Sequence, residues 1–378
     1  MSMNSQSITR QRVCHVTSVH PANDVRIFYK ECLSLVKRYD VFLIAPNIAD
    51  DEFQGIHRRG VTLPQSRIKR LLCLNRVYKK ALEINASIYH FHDPELIPIG
   101  RKLKRKGYCV IFDSHEDIPM QILTKEYLPA WSKKPLSAIY TAWERRNLSQ
   151  YNALVTVTPT ILERLKKLNP NTVMVTNYPP FEEIPHDYSV KENPIVCFAG
   201  GVDERYMHHV IINSLAKTPC RYLLAGRCFI PAYMERLQAL PSWCKVDYLG
   251  VLPPDQVSDI YQKADIGLVI LDYSPNVGYH KGTLGVLKMF EYMMAGIPVI
   301  ATDFDLWREI IEHYDCGICV NPHDEDAIAD AINYFVQNPD IAHQKGQNGL
   351  RAVREQYNWA TQEQNLFNLY SQLSNSEY

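Results

Sequence analysis

Short apolar runs alternate with amphipathic stretches along nearly the whole chain, and the alternation breaks once. Runs at 13–17, 41–45, 87–91, 108–112, 153–157 and 172–176 read as buried strands. Between them, 26–36, 71–82, 96–106, 136–149 and 159–168 carry helical spacing, with Ile27, Phe28, Cys32, Leu33 and Leu35 of the first predicted to face a core. The stretch 51–64 is expected to hold short strands, and 118–129 is a longer segment that exposes Tyr127 and Leu128. The rhythm then stops in a polar, acidic, proline-bearing stretch from 181 to 193. It resumes with strands at 195–199, 221–225, 246–249, 266–271, 299–302 and 317–320, and helices ending near 215 and spanning 231–240, 254–263 and 325–336. Residues 359–373 close the chain in helical register, with Trp359, Leu366, Phe367, Leu369, Tyr370 and Leu373 on one face.

Strand, turn and helix repeated this often predict an α/β protein built from two doubly wound, Rossmann-like domains. A length of 378 residues exceeds what one hydrophobic core usually serves, which agrees with that division. We place an N-terminal domain at 1–185, a linker at 186–194, a C-terminal domain at 195–356 and a final helix at 357–378. No GxGxxG follows the first strand, which argues against a dinucleotide enzyme.

The composition is that of a soluble globular chain, with 46% hydrophobic and 22% charged residues. No apolar run is long enough to span a bilayer, and the polar start lacks the apolar core of a secretory signal. Scattered cysteines suit a reducing cytoplasm; Cys316-Gly-Ile-Cys319 has metal-like spacing but no second pair. The net charge is zero, yet residues 1–190 hold 27 Lys/Arg against 18 Asp/Glu and residues 191–378 hold 14 against 23. A basic first half suits an anionic membrane face, a charged substrate or nucleic acid, or simply a solvated helix surface. No nucleic-acid module accompanies it.

Candidate chemistry sits where strands end. In the first half, His20, Asp24 and Arg26 follow the first strand, His92 and Asp93 follow another, and His115 and Glu116 follow a third. The acids Asp93, Glu95, Asp113 and Glu116 are open to two readings, as metal ligands or as caps and partners of the histidines. In the second half, Gly200, Gly201, Gly226 and Gly250 stand at turns where a backbone can approach phosphate. Arg205 and Lys288 can neutralise a diphosphate, and Glu291, an acid among Met289, Phe290, Met293 and Met294, can accept both hydroxyls of a ribose. These features predict a nucleoside-diphosphate ligand in the second domain without naming a reaction.

The block Phe290-Glu-Tyr-Met-Met-Ala-Gly-Ile-Pro-Val-Ile-Ala301 resembles the retaining glycosyltransferases of family 4, which have the GT-B fold. The Gly200-Gly201…Arg205 loop, Leu224-Ala-Gly226, Tyr248-Leu-Gly250, Tyr261-Gln-Lys-Ala-Asp-Ile-Gly267 and Tyr357-Asn-Trp359 fit the same pattern. The segment from Thr17 to Lys30 further resembles a bacterial branch acting on surface polysaccharides such as capsule, O-antigen and exopolysaccharide. The resemblance implies a cytoplasmic transferase, peripheral on the inner face of the membrane. It would move sugar from a UDP- or GDP-sugar to a lipid-linked saccharide, with no metal and no cofactor. It implies catalytic roles for His92, Arg205 and Lys288. Donor binding would fall to Gly200, Gly201, Arg205, Gly226, Gly250, Val251, Lys281, Thr283, Lys288 and Glu291. The acceptor side would take His20, Asp24, Arg26, Asp93, His115 and Glu116. The cleft between the domains would hold the reacting centre, and the closing helix would return to the first domain. One departure stands out: Thr283 occupies the place of the family's usual acid, eight residues before Glu291. Two rival classes remain open, a non-hydrolysing nucleotide-sugar 2-epimerase and a non-catalytic nucleotide-sugar-binding scaffold.

Overall fold

The computed structural model describes residues 10–125, 127–185 and 191–375. The chain divides into two compact units, one of 1–177 with 362–378 and one of 178–361. The division falls at Tyr178 because its ring packs edge-on against Phe290 and Tyr357 of the second unit. The stretch read as a linker falls partly on 186–190, outside the described residues.

Among its described residues the first unit holds eight strands: β1 (Arg12–Val16), β2 (Asp40–Pro46), β3 (Asp51–Phe53), β4 (Ile56–Val61), β5 (Ile88–Phe91), β6 (Cys109–Ser114), β7 (Ala153–Thr156) and β8 (Thr172–Met174). Their order is β3-β4-β2-β1-β5-β6-β7-β8, parallel except for the β3–β4 hairpin. The order reverses between β1 and β5, so this is the switch point at which such sheets leave a crevice.

The two faces of this sheet differ in kind. Cys14, Val16, Tyr89, Phe91, Val110 and Phe112 pack into one apolar core with Leu74, Val77 and Ala81 of the helix Arg67–Ile84 and with Leu103 of Ile97–Arg105. Because side chains alternate along a strand, His15, His90, Ile111 and Asp113 fall on the opposite face. That face meets the closing helix Trp359–Asn375 through Tyr370, and a π-helix, Val25–Cys32. The wide turn of a π-helix puts Arg26, Lys30 and Glu31 on one buried face, and such turns favour functional sites. Asp24 starts it, its carboxylate accepting from the amides of Arg26 and Ile27. Leu33 is only half-buried, whereas Ile27, Phe28, Cys32 and Leu35 are buried as predicted.

Among its described residues the second unit has six parallel strands, β9 (Ile195–Ala199), β10 (Arg221–Ala225), β11 (Val246–Gly250), β12 (Ile266–Val269), β13 (Val299–Thr302) and β14 (Gly317–Val320). Their order is β11-β10-β9-β12-β13-β14, with the switch between β9 and β12. Thr302 locks β13 to the end of β12, its hydroxyl accepting from the Leu271 amide and donating to the Leu271 carbonyl. Two helices, Asp305–Tyr314 and Pro339–Glu355, were not assigned by the apolar pattern. The second contains Gly346 and Gly349, poor helix formers. Gly346 is there for contact: a Cβ on it would stand 1.9 Å from the Gly296 carbonyl oxygen. Pro135 also lies inside the helix Ala130–Leu148, which begins earlier than its periodicity suggests.

Candidate functional site

In the first unit a cavity of about 490 Å³ opens at the switch point. His20, His92, Asp93, His115 and Glu116 line it, together with Arg67, Arg70, Glu95 and Asp113. Asp24 and Arg26, predicted for the same place, lie behind the lining. Arg26 is buried, donating from Nε and Nη2 to Asp113 Oδ2 at 3.0 and 2.8 Å, and from Nη1 to the Val175 carbonyl. Asp93 organises the loop after β1: its Oδ2 accepts from Thr17 Oγ1 and from the amides of Ser18 and Val19. His20 sits between carboxylates, 3.4 Å from both Asp24 and Asp93. The Asp24 hydrogen bond raises the His20 pKa in spite of partial burial.

His92 forms the floor. Its Nε2 is 2.9 Å from His15 Nδ1, and its Nδ1 is 3.2 Å from His115 Nε2, which is in turn 3.1 Å from Asp113 Oδ2. Burial pushes His92 down to about 4, against the pull of Asp113, so the imidazole is neutral near neutral pH. Burial would raise Asp113, but Arg26, His115 and His92 together hold it well below the usual carboxylate range. Thus a fixed anion stands behind a neutral imidazole that meets the cavity. His15, Glu31 and His90 were not singled out from sequence. The signal was the His90-Phe-His92 spacing, which puts two histidines on one face of a strand.

The second unit's cavity, about 420 Å³, opens at the ends of β9 and β10. Gly200, Gly201, Gly226, Val251 and Lys288 line it with Arg227, Phe229, Leu252 and Val257. Glycine is required at 226: its φ is +141°, and a Cβ would stand 1.5 Å from the Gly200 carbonyl oxygen. The Gly226 amide donates to the Gly250 carbonyl at 2.7 Å, tying the turns together. Arg227, which directly follows Gly226 at the strand end, is the cation that sequence reasoning missed.

Arg205, Gly250, Lys281, Thr283 and Glu291 fall outside that lining. Arg205 is largely exposed and folded onto Asp203, with Nε and Nη2 donating at 3.0 and 2.7 Å. Glu291 Oε2 accepts from Tyr261 Oη at 2.6 Å and from Lys288 Nζ at 2.9 Å. Lys281 and Thr283 stand on the loop after β12. The Thr283 hydroxyl accepts from the Gly285 amide, and its carbonyl accepts from Trp307 Nε1 at 2.7 Å.

Two family models match, one for group 1 glycosyl transferases over residues 180–352 and one for glycosyltransferase family 4 over residues 25–177. The chain belongs to family 4 of the glycosyltransferases. A sucrose-phosphate synthase from Thermosynechococcus elongatus superposes on this transferase with a TM-score of 0.75 at 16% identity, covering 97% of this chain and 99% of that one. Anabaena HepE, solved with UDP, gives 0.72 at 14% identity over 96% and 100%. These likenesses show the GT-B fold. Among curated proteins, an uncharacterized glycosyltransferase of Methanocaldococcus jannaschii is 26% identical over 44% of this chain, and a phosphatidyl-myo-inositol mannosyltransferase of Mycobacterium leprae is 28% identical over 32%. The matches reach only 40% and 31% of those two relatives' lengths. Among the described residues, no helix is long and apolar enough to cross a membrane.

Proposed function

We propose that this transferase is a retaining enzyme that moves a sugar from a UDP- or GDP-sugar to a lipid-linked saccharide in surface-polysaccharide synthesis. The observation that carries the donor assignment is the cavity at the β9 and β10 ends. The glycine turn at Gly200, Gly201 and Gly226 lets backbone approach a ligand there, and Lys288 and Arg227 place positive charge beside it. Such charge stabilises a departing diphosphate, so no metal is needed at that position. Arg205, held by Asp203 at the same strand end, adds a third cation when the donor draws it in. Glu291, set by Tyr261 and Lys288, is assigned to the ribose hydroxyls. Anabaena HepE has also been solved with UDP-glucose, which supports a nucleotide-sugar partner.

The acceptor is assigned to the first unit's cavity, whose floor is the neutral ring of His92, held by its contacts to His15 and His115. In a retaining transfer, attack and departure occur on one face of the sugar. The leaving phosphate takes the acceptor proton, and the protein supplies position and charge. A lipid-linked acceptor suits the surface around this cavity. Ile68 and Leu72, on the helix that contributes Arg67 and Arg70 to the lining, are about four-fifths exposed, as are Tyr127 and Trp131. Lys69, Lys133 and Lys134 neighbour these residues in sequence, and apolar side chains with lysines suit an anionic membrane face.

The test is incubation with a panel of UDP- and GDP-sugars, with and without lipid-linked saccharides. Release of nucleoside diphosphate that requires the acceptor is expected. Epimerised donor formed without acceptor would contradict the reading, as would donor binding with no turnover on any acceptor.

A further inference from the structure

The buried histidines of the first unit are more numerous than sugar transfer requires. The parallel register pairs His15 of β1 directly with His90 of β5. His92 follows two residues later on the same face, so three imidazoles from adjacent strands lie together, their ring centroids 4.7 to 5.1 Å apart. Glu31 descends on them from the π-helix. One donor atom each from His15, Glu31, His90 and His92 lies within 4.8 Å of the others, and all four side chains are buried.

Their hydrogen bonding has the pattern of a ligand set. Tyr370 Oη is 3.1 Å from His15 Nε2 and 3.0 Å from His90 Nδ1, so one tyrosine orients two rings through the nitrogens that face away from the cluster. On His92, Nδ1 is 3.5 Å from Asp113 Oδ2, which leaves Nε2 for the cluster. Outer partners of this kind fix the tautomer and orientation of ligating histidines. Inside the cluster His15 Nδ1 and His92 Nε2 lie 2.9 Å apart, and the remaining donor atoms are underused. Among the described residues, His90 Nε2 and both carboxylate oxygens of Glu31 have no hydrogen-bond partner. Arg26 Nε lies 3.0 Å from Glu31 Oε1, but its N–H is directed to Asp113. Arg26 thus answers Oε1 with its charge, whereas Oε2 has only the imidazoles of His15 and His92 beside it, at 3.6 and 3.9 Å, and a buried carboxylate oxygen so placed favours a further cation.

We propose that His15, Glu31, His90 and His92 bind one divalent transition-metal ion, of the zinc class, beneath the floor of the first unit's cavity. Imidazole and carboxylate donors suit zinc, and donors about 2.0–2.2 Å from a four-coordinate ion require the widest-spaced of these atoms, now within 4.8 Å of one another, to draw together on binding. The ion is structural. It ties β1 and β5 to the π-helix and holds His92 with Nδ1 toward Asp113 and His115. It is remote in role from the donor diphosphate, and the site stands whichever sugar is transferred.

The experiment is metal analysis of the full chain, purified without chelator from zinc-supplemented culture and with any affinity tag removed. Close to one zinc per chain is expected. Glu31→Gln and His90→Gln should each cut that content by about tenfold or more, while His115→Gln, outside the set, should retain it. Because a ligand variant can fail to fold, a second reading uses the unmodified protein. Metal-stripped chain titrated with cobalt should gain visible absorption of a nitrogen- and oxygen-ligated ion, abolished by added zinc. Absence of zinc together with absence of cobalt absorption would overturn the site. So would zinc content unchanged in folded Glu31→Gln and His90→Gln.

Discussion

Lys288 and Glu291 stand one helical turn apart, with Lys288 Nζ 2.9 Å from the same Glu291 oxygen that accepts from Tyr261. The pair is partly exposed, with side-chain accessibilities of 22% and 21%. Its direct contribution to stability is therefore small. What it does is hold a lysine and a carboxylate in fixed relation at the edge of the second unit's cavity, to which the donor is assigned. Glu291→Gln removes the charge from that relation while keeping the shape. We expect donor affinity to fall about tenfold, or about 1.4 kcal/mol, with little change in melting temperature. Calorimetric titration with nucleoside diphosphates and diphosphate sugars checks it; unchanged affinity would remove Glu291 from the ribose.

Gly226→Ala attacks the same cavity through the backbone. The added methyl group collides with the Gly200 carbonyl in a conformation that side chains rarely adopt. A cost of about 1–3 kcal/mol in stability is expected from the strain alone. Donor binding should be lost as well, because the turn must move. Thermal melting and nucleotide titration on one preparation separate the two effects.

His92→Gln should lower turnover much more than donor affinity, since His92 belongs to the first unit's cavity and the donor is assigned to the second. Steady-state kinetics against donor and acceptor decide it. A rise in the donor KM equal to the fall in kcat would mark a general disturbance of the fold.

His208 makes a pH prediction independent of the catalytic groups. It is buried, Nδ1 3.0 Å from Tyr222 Oη, and burial pushes it down to about 4. The unfolded chain takes up this proton near pH 6.5, the folded chain only near 4. Between those values the unfolded state binds more protons, so stability falls as pH is lowered through this window, by on the order of 3 kcal/mol in all. Denaturant titrations across the window should show that loss, and His208→Gln should reduce the slope.

The membrane-facing assignment predicts salt-sensitive binding to anionic vesicles. Replacing Lys133 and Lys134 with glutamate should weaken it, and Trp131→Ser should weaken it further at high salt, where the apolar part dominates. Vesicle co-sedimentation at two ionic strengths tests both parts.

The alternation of apolar runs and helical stretches was enough to read both sheets, because parallel strands buried on both faces leave an unbroken apolar signature. Strand-end positions such as His92, His115, Gly200 and Gly226 were legible for the same reason: a doubly wound sheet puts its crevice there. The buried face under His92 was not. It depends on strand order, which brings β1 beside β5 although 71 residues separate the end of one from the start of the other. It also depends on a π-helix, whose wider turn no 3.6-residue pattern reveals. Arg26 looked like a cavity residue because it follows a strand. The structure turns it inward to Asp113, a partner 87 positions away. Arg227 carries no periodic signal of its own, since it lies beyond the end of β10 and after a turn glycine.

Retention of configuration is tested most directly at the anomeric centre. The new glycosidic linkage formed from an α-linked UDP- or GDP-sugar and a lipid-linked saccharide keeps its configuration in solution and can be read by proton NMR. Retention gives an α-linked product whose formation requires the acceptor. A β-linked product, or a donor altered in its absence, would contradict it.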